Sequence, residues 1–215
     1  MQKIRKTVIP SERSESRNLL ILVKYTIFKT KWGYFGLAAT DNGLLRTCLP
    51  PSSCFACPRV SRRESGRRAE AKQRGPAAGR EKVKSQLLCY FPSARYDKDL
   101  FRTIQKQITA YFEGDYVDFR DVPVVLNTGA FTMRVLEACR SVRFGQIVTY
   151  GRLAELAGRP GSARAVGMAL AKNPLPLIIP CHRIVCADGS LGGFSAFGGI
   201  GLKKRLLELE ARSLK

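Results

Sequence analysis

The chain has 215 residues, 45% of them hydrophobic, enough for one large domain or two small ones around a packed core. Its 37 Lys and Arg residues against 17 acidic ones leave a net charge of +20, more than solubility requires, which makes a polyanion the leading partner: nucleic acid or an acidic membrane surface. The membrane class falls away because the strongest apolar run, Leu19 to Val23, is broken by Lys24, far short of the ~20 residues of a spanning helix.

Residues 1–18 are polar and charged without apolar periodicity, which predicts a loose terminus. Lys3, Arg5 and Lys6 are followed by the polar stretch Pro10 to Asn18 where a secretory signal would be apolar, so the chain reads as intracellular, cytoplasmic or, in a eukaryote, nuclear. Leu19 to Thr30 and Trp32 to Thr40 are β-branched, aromatic and aliphatic, and Asp41-Asn42-Gly43 before Leu44-Leu45 is a hairpin turn signal, so a small antiparallel sheet is expected. From about Pro50 to Ser85 the composition turns to Arg, Lys, Gly, Ala, Ser and Pro, predicting a basic low-complexity insertion at about 59–84 that builds no core. That tract is either a solvated linker or a set of non-specific phosphate contacts. The spacing of Leu100, Phe101, Ile104, Ile108, Tyr111 and Phe112 predicts a helix from Asp97 to Phe112 stopped by Gly114, and Val122 to Leu126 reads as a short strand.

After residue 122 the pattern becomes helical. Thr128 is expected to cap a helix carrying Phe131, Val135, Leu136 and Cys139, with Gly145 breaking the next connection. Thr149 caps a helix Tyr150 to Ala157 ended by Gly158, and Ser162 caps a second, Ala163 to Lys172; joined by a tight Gly-containing turn, they form a helix-turn-helix pattern. Leu175 to Pro180 is apolar and bracketed by prolines, which predicts a buried extended segment delivering Cys181 and His182. A hairpin and flexible loop over Ile184 to Phe194 then lead to an amphipathic helix with Leu202, Leu206, Leu207 and Leu209.

Seven cysteines without regular spacing point to thiols rather than a disulfide framework. A cysteine attacks as thiolate, and a free pKa of ~8.5 leaves little of it at neutral pH without a base or positive charge nearby. Cys181 alone stands beside a histidine, and His182 is the one histidine in the chain. Neighbours in an extended segment project to opposite sides, so the pair needs a sharp bend or a bridging water, plus a third group to orient the imidazole. Glu208 or Glu210 can supply it.

The run Asn173-Pro174-Leu175-Pro176-Leu177-Ile178-Ile179-Pro180-Cys181-His182-Arg183-Ile184-Val185 closely resembles the active-site signature of O6-alkylguanine-DNA alkyltransferases. The resemblance extends from about Val124 to Glu210, with Tyr150, Arg164-Ala165-Val166-Gly167 and the Leu206-Leu207 pair ahead of Glu210. It implies an α/β N-terminal domain with a ribonuclease H-like sheet over 19–122, and a mostly helical C-terminal domain of winged-helix type over 123–215. It further implies that Cys181 accepts the alkyl group, that His182 and Glu210 activate it through a bound water, and that Asn173 holds the turn before it. Tyr150, Ser195 and Ile184 would line the guanine pocket. Arg164, Ala165 and Gly167 would enter the minor groove, Arg164 filling the gap left by the extruded base.

The implied activity is direct damage reversal: stoichiometric, self-inactivating methyl transfer from O6-alkylguanine in double-stranded DNA, with room for weaker action on O4-alkylthymine. The implied agent is a monomer without a donor cofactor. Some members carry a structural zinc, but Cys48, Cys54, Cys57 and Cys89 lack nearby histidines and are read as uncoordinated thiols, with no metal site expected. The rivals are a thiol hydrolase using Cys181 and His182, and a non-catalytic lesion-binding protein.

Overall fold

The computed structural model describes residues 22–50, 76–196 and 198–214. The expected loose terminus 1–18, residues 59–75 of the basic tract, Cys54 and Cys57 lie outside the described residues. Among the described residues no helix is long and apolar enough to cross a membrane.

The N-terminal part is built on a mixed four-stranded sheet. Strands β1 (Lys24–Thr30), β2 (Gly33–Thr40) and β3 (Gly43–Cys48) run antiparallel, and β4 (Arg95–Tyr96) joins β1 in parallel, giving the order β3-β2-β1-β4. The expected turn joins β2 to β3, with Gly43 at φ 144°, a value its lack of a side chain permits. Alternation along β2 sends Phe35, Leu37 and Ala39 to one face and Ala38 to the other, so the sheet is covered on both sides.

One cover corrects the sequence reading. Residues 76–84, expected to belong to a coreless insertion, begin helix α1 (Pro76–Tyr90), which buries Val83 and Leu87 against Tyr25, Ile27, Ala38 and Cys48. Two apolar residues four apart seat it, each worth about 1.5–3 kcal/mol when fully buried, and Leu88 packs partly buried beside them. Gly36 makes the approach possible: a Cβ there would lie 2.5 Å from Val83 Cγ1 and 2.9 Å from Leu87 Cδ1.

The other face carries helix α2 (Arg102–Glu113), with Ile104, Ile108, Tyr111 and Phe112 buried and Gly114 closing it in the left-handed conformation. It starts later than expected because Phe101, at φ 50°, breaks the helical path. Val122 to Leu126 forms no strand; Val124 makes one isolated bridge to Leu44.

The C-terminal part contains α3 (Ala130–Arg140), β5 (Val148–Thr149), α4 (Tyr150–Leu156), α5 (Ala163–Ala171), β6 (Ile184–Val185) and α6 (Gly199–Ser213). Gly129, not Thr128, caps α3, with extended backbone and no side-chain bond. Thr149 caps α4 as expected, accepting from the Arg152 N–H, whereas Ser162 precedes α5 without a side-chain cap bond. Instead of folding into a hairpin, β6 pairs in parallel with β5, and Cys186 closes a turn by donating to the Ser190 carbonyl. A single hydrophobic cluster runs from Phe35 and Leu37 through Tyr111 to Val135, Leu153 and Leu206, so the boundary at 122/123 divides chain segments but not cores.

Candidate active site and DNA-facing helices

Asn173 follows α5 directly and organises the segment that carries the cysteine. Its Oδ1 accepts from Leu175 N–H at 3.0 Å, while its Nδ2 donates to the Ile179 carbonyl at 2.9 Å and to Cys181 Sγ at 3.2 Å. One short amide therefore closes both ends of a loop and touches the sulfur.

That loop is buried, as expected, but it is not extended. Ile179 N–H bonds the Leu175 carbonyl at 2.8 Å, and Leu177 sits at φ 81°, which folds the chain back. A non-glycine residue held there costs on the order of 1–3 kcal/mol. The sheet supplies restraint: Thr47 on β3 donates its N–H to Pro174 O at 3.0 Å and its hydroxyl to Pro176 O at 2.7 Å.

The loop ends in one 3-10 turn, Cys181–Arg183. His182 is fully buried, and its Nε2 lies 2.8 Å from Glu210 Oε1. Glu208, the other candidate, is half-exposed and pairs with Lys204 at 3.9 Å. Glu210 Oε1 also accepts from Tyr111 Oη at 2.7 Å and Arg183 Nη2 at 2.9 Å, while Oε2 accepts from Gly145 N–H at 2.9 Å and Arg183 Nε at 3.0 Å.

These bonds fix protonation states. Burial raises the Glu210 pKa, but the hydrogen bonds and charges of His182 and Arg183 outweigh it and hold the carboxyl well below its usual range. Burial holds His182 below its ordinary value, against the pull of Glu210, so the ring is neutral at pH 7. A neutral imidazole facing a carboxylate carries its hydrogen on that side. Nε2 is then the donor and Nδ1 the bare acceptor; Nδ1 is buried and has no hydrogen-bond partner among the described residues.

Burial pushes the Cys181 thiol up, while the Asn173 amide, the Lys203 charge and backbone N–H groups pull it down. Lys203 is a site residue that sequence reasoning missed. It is wholly buried, donates to the carbonyls of Ile184 and Leu191, and lies 5.8 Å from the centre of the Tyr150 ring.

Tyr150 is half-buried at the start of α4, with its hydroxyl donating to Gly193 O at 3.4 Å. Gly192 lets that loop come close, since a Cβ there would meet the Tyr150 ring at 3.0 Å and Cys186 Sγ at 3.1 Å. Gly167 brings α5 to the same ring, 3.9 Å from an added Cβ. Arg164 is exposed and Ala165 partly so, both in the first turn of α5. Ser195 is exposed on the loop beyond Gly193. Ile184, on β6, is buried in the same cluster as Cys181, and its carbonyl is bonded to Lys203.

A family model described as "6-O-methylguanine DNA methyltransferase, DNA binding domain" matches residues 130–212. A methylated-DNA–protein-cysteine methyltransferase of Metallosphaera sedula is 48% identical over 119 residues, covering 55% of this chain and 73% of that protein. One from Methanopyrus kandleri is 46% identical, over 51% of this chain and 82% of that protein. The chain belongs to the methylated-DNA–protein-cysteine methyltransferase family. A solved structure of the Mycobacterium tuberculosis protein in complex with DNA superposes with a TM-score of 0.63 at 29% identity, covering 88% of this chain and 94% of that one.

Membership makes this a DNA-repair methyltransferase that binds DNA, with the family's mixed-sheet N-terminal part and helical C-terminal part. Within the methyltransferase, Tyr150, Arg164, Asn173, Cys181, His182 and Glu210 fall inside the matched family segment; Thr47 and Tyr111, which also brace the site, fall outside it.

Proposed function

We propose that the protein removes a methyl or other alkyl group from O6 of guanine in duplex DNA by transferring it to Sγ of its own Cys181, once per molecule. The observation that carries this reading is the Asn173-held thiol beside a histidine whose Nε2–H is committed to Glu210. The bare Nδ1 accepts the Cys181 proton through one water. The thiolate then attacks the alkyl carbon, the carbon–oxygen bond breaks, and the electron pair leaves with the purine. Tyr150 donates to the departing ring, and Lys203 favours the thiolate over the thiol. The thioether formed is not readily reversed by water or thiols, so turnover stops.

The damaged atom lies inside the stacked duplex, so the base must be extruded. Helices α4 and α5 form the helix-turn-helix, and its small residues Ala165 and Gly167 suit close approach to the minor groove, with Arg164 filling the vacated stack. The helical part is read as winged-helix in type and the sheet as ribonuclease H-like, supported by the β5–β6 pair beside α4 and α5 and by the β3-β2-β1-β4 order. Ser195 and Ile184 complete the pocket. The protein acts as a monomer without donor cofactor or metal, in whichever compartment holds the DNA, and with weaker action on O4-alkylthymine.

Stoichiometry tests the function. With duplex O6-methylguanine in excess, repair is expected to plateau at one lesion per chain, and more slowly with O4-methylthymine in its place. Continued turnover would replace this reading with the thiol hydrolase, and binding without any loss of methyl from the DNA with the passive lesion binder.

Arg164→Ala tests extrusion. It should slow repair of duplex far more than reaction with free O6-alkylated guanine base, which needs no flipping. Equal slowing of both would assign Arg164 to the pocket or the fold.

A further inference from the structure

Tyr111 belongs to α2, outside the matched family segment, and its spacing with Ile104 and Ile108 makes it an ordinary core residue in sequence. Its surroundings are not those of an ordinary core aromatic. The ring is fully buried and boxed by Phe112, Phe119 and Phe144, with centroids 5.5, 5.9 and 5.8 Å away. The hydroxyl ends 2.7 Å from Glu210 Oε1 and 3.5 Å from His182 Nε2. Burying a hydroxyl in such a box is unfavourable unless it is bonded. Burial and the adjacent carboxylate keep the phenol protonated, so it donates to Glu210 at any working pH.

We propose that Tyr111 is a positioning residue that sets the proton affinity of His182 by sharing Glu210 Oε1 with it. This inference rests on the reading of His182 as the proton acceptor for Cys181. A carboxylate oxygen that accepts a second short hydrogen bond carries less charge towards the imidazole, which tunes His182 as a weaker base. The other charged groups on the pair are Arg183, bonded to both Glu210 oxygens, and Lys203 on α6. Neither is changed by substitutions at Tyr111.

Because His182 is the one histidine in the chain, its imidazole nitrogen signals can be followed by NMR without ambiguity. In the full-length protein, Tyr111→Phe removes the donor and should move the His182 titration to higher pH. Tyr111 replaced by 3-fluorotyrosine keeps the ring and strengthens the donor, and should move it to lower pH. The opposite displacements cannot come from loosened packing, and the fluorinated form covers the case in which the Phe variant fails to fold. An unmoved His182 titration in the fluorinated protein overturns the proposal, as does a shift in the same direction in both. The acid limb of the single-turnover rate against pH should follow the NMR titration. If the titration moves and the rate profile does not, the role of Tyr111 stands and the proton-acceptor reading of His182 fails.

Discussion

Glu210→Gln is expected to slow transfer by about 10²- to 10⁴-fold and to destabilise the fold by about 3–5 kcal/mol, because it leaves the buried charge of Arg183 unpaired. The side chain keeps its shape, so the effect is electrostatic. Tyr111, His182 and Arg183 donate to Oε1, and Gly145 and Arg183 donate to Oε2. Whichever end the amide nitrogen takes, a donor then faces a donor. His182 would lose its reason to keep the hydrogen on Nε2, and with it the bare Nδ1. Losing a positioned base typically costs on the order of 10²- to 10⁴-fold in rate.

The same group predicts a pH dependence. The Glu210 pKa is depressed in the fold relative to the unfolded chain, so its contribution is fully present above the unfolded value of about 4.3 and is lost as pH falls towards the folded value. Denaturant unfolding should show wild-type stability falling as pH drops below about 4.3, with a shallower fall in Glu210→Gln. Parallel curves would mean that another carboxylate governs acid stability.

Cys181→Ala should eliminate transfer while leaving binding to alkylated duplex largely intact. Cys181 is almost buried, and Asn173 Nδ2 keeps its bond to Ile179 O when the sulfur is gone, so the expected loss of stability is about 1 kcal/mol. Two of the other described thiols are poor substitutes. Cys48 is buried and pushed up to about 12, and Cys139 is buried with its thiol well above the usual value. Cys186 is partly exposed beside Tyr150, which makes it the thiol to control for. Cys186→Ala should leave transfer measurable, whereas residual transfer near the original rate in Cys181→Ala would sink the nucleophile assignment.

The parts of the fold legible in the sequence are those with local causes. The β2–β3 turn announces itself through Asp41-Asn42-Gly43, and α4 through a Thr149 cap ahead of an apolar face. The cysteine loop shows the limit. Its prolines and aliphatic residues suit an extended segment equally well, and what folds it back is non-local: Leu177 at positive φ, held by Thr47 from a strand more than a hundred residues earlier. Lys203 was hidden for a similar reason. In Lys203-Lys204-Arg205 three bases look equally solvated, and only the alignment of Lys203 with Leu206 and Glu210 on one helical face distinguishes it. Tyr111 reads as a core aromatic and Arg183 only as one residue of the signature run, because the carboxylate that joins them comes from the last helix.

The central claim is that the alkyl group ends on Cys181, and mass measurement of the protein tests it most directly. After incubation with duplex DNA bearing O6-methylguanine, the intact chain should gain one methyl group permanently, and peptide mapping should place it on Cys181. A methyl group on Cys186, or an unchanged protein mass alongside DNA that has lost its methyl groups, would contradict the account.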